Sequence, residues 1–481
     1  MVWPPRMATR IVFTVAGVVL FTTISATGGG APGLRGGVQP EQVLVFDAGS
    51  SGTRIHIFNI YPAEGSGHVP VVDLSVRSKQ TLKVKPGLSD FAQRDDIDGT
   101  KTNIMKLLEF ANQFVPADRR ASTPAMLKAT AGLRSVSETK AEAVLNAVRE
   151  TLANSGYKFK HDWAGIIKGK EEGGLAWVAA NYLDGTFAKD ESTSVGVIEM
   201  GGGSTQVTFQ VAASDALEPN DDFVFETALK KRYRLYAHSY LGFGQDHAQT
   251  AMRALVGTED PCYPKGYTRS SPTGTLVHGD GNGQSCMATI ASKLWSTSAT
   301  APGRYAMEVP LVGSFVATEN FFYTQADEKL GWEDRVMSIS DFAAGVEKTC
   351  GHDLPEEEAR KMASGGGDPA SPKYCFALAY QGELLKALKA ISNDVNVRIR
   401  HQINGGDIDW ALGAAIIHYI QGHPVPPSLP PWTLLLLLLF LLPLSARLIM
   451  QNSCAGQTLA QIAGLNVKAT KFGAGTTGPV E

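Results

Sequence analysis

The 481 residues contain no Asn-x-Ser/Thr tripeptide, so no N-glycan marks the compartment in which the chain resides. Neither sign of charge dominates: 44 Lys and Arg stand against 47 Asp and Glu, a net charge of −3. The lack of a basic stripe argues against nucleic acid as a partner. Cysteine is scarce, at five residues, and none has the close paired spacing of a zinc site. Gly169-Lys170 is followed by Glu171, which rules out a Walker-type P-loop. Asp280-Gly281-Asn282-Gly283 lacks the remaining ligand positions of a calcium loop and reads as a turn. Residues 28–33 fit the dinucleotide pattern G-x-G-x-x-G, but no strand precedes them.

What is present suffices for two domains of ordinary size with tails, since 43% of the residues are hydrophobic. Arg6 and Arg10 precede a short apolar stretch and a run of small residues, so 1–27 reads as a signal peptide or signal-anchor, with 28–42 as linker. At the other end a Pro-rich linker, 424–431, leads into a strongly apolar run. Residues 432–450 are expected to cross a membrane, although Pro443 interrupts them and Arg447 must snorkel. Arg447, Lys468 and Lys471 then put the tail, 451–481, in the cytosol and the body on the lumenal or extracellular side. Four cysteines fall in that body. Of their three possible pairings the sequential one, Cys262–Cys286 and Cys350–Cys375, is expected.

The chain is organised around Phe46-Asp47-Ala48-Gly49-Ser50-Ser51-Gly52-Thr53-Arg54. An apolar strand ends in an acid, a turn of small residues follows, and alternating residues 54–60 form a return strand. Glycines allow close backbone approach and hydroxyls donate, so Ser50, Ser51, Gly52 and Thr53 suit a phosphate. Asp47 can hold a hydrated divalent cation beside it. A near copy lies 152 positions on: residues 195–199 end in Glu199, Gly201-Gly202-Gly203-Ser204-Thr205 is the turn, and residues 206–211 return. The repeat implies two related lobes whose hairpins face each other across a cleft.

Along the rest of the chain, apolar periodicity predicts helices over about 100–114, 137–154, 175–183 and 410–420. Residues 125–130 form a strand ending at Thr130, whose loop can meet a phosphate. Residues 165–167 form another strand, and 168–174 read as its exit, which carries Glu172 toward the second hairpin. The first lobe is expected over 43–162, completed by 401–423, and the second over 163–400.

Taken together, the motifs resemble the apyrases, or ecto-nucleoside triphosphate diphosphohydrolases. They are residues 47–54, Lys128-Ala129-Thr130-Ala131-Gly132-Leu133-Arg134, Glu172-Gly173 through Trp177 and Asn181-Tyr182, residues 201–206, and Trp410-Ala411-Leu412-Gly413. The resemblance implies an α/β actin/Hsp70-like fold, two ribonuclease-H-like lobes with nucleotide and Ca²⁺ or Mg²⁺ between them. It also implies roles. Glu172 is the general base for an attacking water, which Ser204 and Gln206 orient. Asp47 and Glu199 hold the metal through its waters, and both hairpins with Thr130 bind phosphate. Tyr323 and Tyr380 resemble the family's nucleobase clamp. The four lumenal cysteines resemble the Golgi or secretory subgroup, which tends to prefer nucleoside diphosphates. Two departures stand out: the apparent C-terminal anchor, and Glu199, where the family normally has Asp. Two alternatives remain: an apyrase taking both di- and triphosphates, and a slowly hydrolysing actin-like sensor or assembly protein.

Overall fold

The computed structural model describes residues 39–62, 69–76, 79–188, 193–271, 273–294, 310–357, 373–391 and 394–424. The expected signal segment, 1–27, and the expected membrane span, 432–450, lie outside the described residues. Among the described residues no helix is long and apolar enough to cross a membrane.

Two mixed sheets carry the fold. The first comprises β1 (Glu41–Ala48), β2 (Thr53–Tyr61), β3 (Val71–Val72), β4 (Thr81–Val84), β5 (Ala125–Ala129) and β6 (Ala164–Ile166), in the order β3-β2-β1-β5-β6, with β4 also paired to β2. The second begins with β7 (Gly196–Met200), β8 (Ser204–Gln210), β9 (Asp222–Glu226) and β10 (Arg232–Leu241). A small separate sheet follows, β11 (Glu259–Asp260), β12 (Thr268–Ser270) and β13 (Leu276–Gly279). Then β14 (Gly313–Glu319) and β15 (Val395–Ile399) complete the second sheet, in the order β15-β14-β7-β8-β10-β9.

The repeat seen in the sequence is therefore a repeat of topology. β1 pairs antiparallel with β2 and parallel with β5, while β7 pairs antiparallel with β8 and parallel with β14. Both sheets belong to the compact unit that starts at Glu41.

Strand periodicity explains how one chain builds several cores. In β1, Val43 and Val45 point into a central cluster, whereas Leu44, Phe46 and Ala48 point into a cluster confined to the first sheet's other face. β7 divides the same way, with Val197 central and Ile198 and Met200 in a third cluster. The central cluster also holds Trp177 and Leu412, from the helices Gly169–Leu183 and Trp410–Gly422. These helices meet closely: a Cβ on Gly413 would lie 2.0 Å from the carbonyl oxygen of Leu175, so only glycine fits there.

Three expectations change. Residues 168–174 are not a loop, because the helix starts at Gly169 and Glu172 lies in its first turn. Its N-terminus is closed by Glu171, whose carboxylate accepts from the backbone N–H of Lys168. Strand β6, expected at the start of the second lobe, pairs with β5 in the first sheet, and the crossover begins after it. The Gly-, Pro- and Ser-rich composition of 257–286 suggests a loop, but the stretch contains β11–β13. Both expected disulfides, Cys262–Cys286 and Cys350–Cys375, are formed, and their four sulfurs lie in the third cluster.

Candidate active site

Strand register sets out two rows of side chains. Directly opposed residues of paired strands share a face. Asp47 on β1 opposes Arg54 on β2, which opposes Lys83 on β4. The first row therefore reads Asp47–Arg54–Lys83. In the second sheet Glu199 on β7 opposes Gln206 on β8, which opposes Ser239 on β10. Each row starts from the acid that precedes a glycine-rich turn.

One cleft brings most of the expected residues together. It is lined by Asp47, Ser50, Ser51 and Gly52 from the first hairpin, and by Glu199, Gly202, Gly203 and Ser204 from the second. Thr130 and Glu172 complete the expected set. Close backbone approach holds the two hairpins in place. A Cβ on Gly132 would lie 2.9 Å from the Cα of Ser50, and one on Gly244 would lie 2.4 Å from backbone atoms of Gly202, Gly203 and Ser204.

Glu172 is buried and ion-paired with Nη2 of Arg134. Burial pushes its carboxyl above the usual range, and the guanidinium pulls it back. Gln206 is buried behind the cleft wall, where its Nε2 donates to Oγ of Ser204 at 2.7 Å and of Ser239 at 3.2 Å. Arg134 also donates to these hydroxyls, from Nη1 to Ser239 at 3.4 Å and from Nη2 to Ser204 at 3.5 Å. Accepting from two directions, the Ser204 hydroxyl keeps its own proton to donate.

The cleft is dense in acid. Glu319 and Asp409 join Asp47, Glu172 and Glu199 on its lining. Burial, and after it the charge of Asp409, push the Asp47 carboxyl up to about 8. Glu319 is pushed to about 7 by burial, with Arg54 opposing. Burial first, then Glu172 and Glu319, raise Glu199 well above the usual range. Oε2 of Glu199 is buried with no hydrogen-bond partner. Crowded carboxylates and an unsatisfied oxygen fit a hard divalent cation, which prefers oxygen donors. No group of three His, Cys, Asp or Glu side chains among the described residues is placed to hold an ion directly.

Two assignments need correction. Tyr380 is fully buried, stacks on Phe376 and donates its hydroxyl to the carbonyl of Phe243 at 2.7 Å. It belongs to the core of the second sheet, and no base can reach it there. Thr53 is also fully buried, on the strand face shared with Ile55 and Ile57 rather than on the Arg54 face. Tyr323, by contrast, is 37% exposed, with Glu319 and Arg54 as charged neighbours and the His401 ring 5.5 Å away.

Residues missed in the sequence are Arg54, Lys83, Arg134, Ser239, Glu319 and Asp409. The two arginines lay inside recognised motifs without a role. Asp409 caps the helix Trp410–Gly422 by accepting from the N–H of Ala411, a signal its position gave. Glu319 offered none, since its mark is a positive φ of 60°, with ψ −117°, at the end of β14.

Two lobes of like topology that offer glycine–hydroxyl turns and acids to one cleft define a phosphate-handling enzyme of the actin/Hsp70-like class. Residues 39–429 match the GDA1/CD39 (nucleoside phosphatase) family, and the chain belongs to it. It is accordingly a hydrolase of nucleoside phosphates. The chain is 31% identical to probable apyrase 5 of Arabidopsis thaliana over 411 residues, covering 78% of this chain and 81% of that protein. It is 30% identical to the nucleoside diphosphate phosphatase ENTPD5 of Homo sapiens over 391 residues, covering 79% of this chain and 87% of that one. Among solved structures, a nucleoside triphosphate hydrolase from Neospora caninum superposes with a TM-score of 0.60 at 14% identity, over 79% of this chain and 93% of its own.

Proposed function

We propose that the protein removes the terminal phosphate of nucleoside diphosphates in a metal-dependent reaction, with Glu172 as general base. The observation that carries this reading is a buried carboxylate beside the Ser204–Gln206 pair, on a cleft walled by two phosphate-type hairpins. Water attacks the terminal phosphorus and gives its proton to Glu172. The bond from phosphorus to the bridging oxygen breaks, and that oxygen stays on the departing monophosphate. Ser204 and Gln206 orient the water, and Arg134 opposes the rise that burial imposes on the Glu172 carboxyl. Ser50, Ser51 and the amides of both turns position the phosphates, the main requirement of phosphoryl transfer. Asp47 and Glu199 would hold Ca²⁺ or Mg²⁺ through its waters, and the ion supplies charge neutralisation.

Two disulfides support a body folded in an oxidising compartment, the lumen of the secretory pathway or the cell exterior. A membrane tether through 432–450 remains part of the proposal.

Phosphate release from a panel of nucleoside di- and triphosphates, with and without divalent cation, tests the reading. Diphosphate turnover that stops in chelator and returns with Ca²⁺ or Mg²⁺ is expected. Equal rates on di- and triphosphates would replace it with a broad apyrase, and turnover of far less than one per minute on every nucleotide would favour a sensor or assembly protein.

A further inference from the structure

The cations that reach the cleft differ in how they are engaged. Arg134 is tied to Glu172. Arg54 is flanked by Asp409, Asp47 and Glu319. Lys83 forms no direct ion pair among the described residues. Its stem lies against the first hairpin, so close that a Cβ on Gly52 would be 2.8 Å from its Cε. Its Nζ donates to a neutral partner, Oγ of Ser51, at 2.9 Å.

Cross-strand pairing puts Lys83 directly opposite Arg54, cation beside cation, an arrangement that costs stability unless an anion lies between or above them. The charges that act on it most strongly are those of Arg54, Asp47, Glu319 and Lys85. Lys83 thus stands on the first hairpin's side of the cleft, whereas Glu172 lies with Arg134 beside Ser204 of the second, and among the acids that act on Lys83 is Glu319. That residue immediately precedes the helix Asn320–Asp327, which carries Tyr323.

Resting on the diphosphatase reading above, we propose that Lys83 is a specificity-determining residue that grips the phosphate left on the nucleoside, not the phosphate transferred to water. The transferred phosphoryl group must lie beside Glu172 and Ser204, and a diphosphate spanning the cleft then brings its second phosphate under Lys83. There the ammonium can exchange the Ser51 hydroxyl for a phosphate oxygen. The same contact favours departure of the monophosphate, whose bridging oxygen gains charge as its bond to phosphorus breaks.

The test uses the full chain with Lys83→Met and Lys83→Arg, and reads inhibition and calorimetric binding by UMP, GMP and AMP beside inhibition by inorganic phosphate. One charge-assisted hydrogen bond predicts roughly 10- to 100-fold weaker monophosphate binding in Lys83→Met, with inorganic phosphate inhibition within about twofold of wild type. Lys83→Arg should recover most of the loss, and thermal unfolding of both variants should match wild type. Monophosphate affinity unchanged in a folded Lys83→Met protein would overturn the assignment, as would an equal loss for monophosphate and inorganic phosphate. Wild-type protein that neither binds monophosphates nor releases phosphate from any nucleotide would sink the diphosphatase reading along with it.

Discussion

Replacing Glu172 by Gln changes one oxygen to an NH₂ group inside a buried ion pair, so the structural and chemical consequences can be separated. Breaking a buried pair outright costs about 3–5 kcal/mol, because the partner charge is stranded. Here the Gln carbonyl still accepts from Arg134, which also keeps its contacts to Ser204 and Ser239. The expected loss of stability is therefore about 1–2 kcal/mol, the scale of weakening one charge-assisted hydrogen bond. Chemistry suffers more. An amide cannot take the water's proton, and a general base is worth about 10²–10⁴-fold in rate. The assay is steady-state phosphate release with thermal unfolding, with and without nucleotide. kcat should fall by that factor while nucleotide still raises the unfolding temperature. The pH profile gives a second readout. Because the Glu172 carboxyl sits above its ordinary range, wild-type kcat should fall as pH drops through that raised pKa, and the variant's residual rate should lose this limb. A folded variant turning over within several-fold of wild type would remove Glu172 from the role of base.

In chelator, stability should decline as pH rises. Asp47 and Glu319 have folded values of about 8 and about 7, above their unfolded values, so the stability they confer is complete near pH 4, declines steadily as pH rises above it, and is exhausted once pH has passed 7 for Glu319 and 8 for Asp47. Unfolding temperatures measured from pH 5 to 8 should fall, and Glu319→Gln should make the fall shallower below pH 7; a flat wild-type curve would refute the repulsion. Gly244→Ala should cost about 1–3 kcal/mol and at least tenfold in kcat/KM by displacing the second hairpin, whereas Gly257→Ala, with no atom within 4 Å of its new Cβ, should be silent. Glu199→Asp should leave activity within several-fold, since a carboxylate acting through water tolerates a shorter arm, while Glu199→Ala should weaken metal dependence and rate severely. An active, metal-responsive alanine variant would remove Glu199 from the site.

Local signals carried much of the fold. The acid–turn–strand repeat was legible because period-2 alternation and glycine-rich turns are written in adjacent residues, and both hairpins stand where they were expected. The first turn of the Glu172 helix was hidden because Gly169, Gly173 and Gly174 look like a loop. Yet a Cβ on Gly174 would lie 2.6 Å from the Phe223 ring, so the glycines serve tight packing rather than flexibility. Tyr380 was misjudged because nothing in a lone sequence separates an aromatic on a cleft from one in a core. Lys83 and Ser239 escaped because their place depends on register across three strands, a relation that no stretch of sequence displays.

That register also explains why the cleft's charge cannot balance by itself. In the first row a single acid faces two cations, so it attracts phosphate. In the second row an acid faces only an amide and a hydroxyl. Glu199 therefore has no cation within its own row, and Arg134, which approaches that row, is already paired with Glu172. A phosphate chain entering the cleft adds negative charge beside Glu199, and the missing positive charge must come with it. On the proposed reading a divalent ion shared by Asp47 and Glu199 would meet that need, while the lysine and arginine of the first row would meet the phosphates. The asymmetry between two otherwise repeated hairpins thus separates the two tasks. On the proposed mechanism both hairpins meet phosphate and ion, but the gripping cations come from the first sheet and the groups that place the attacking water from the second.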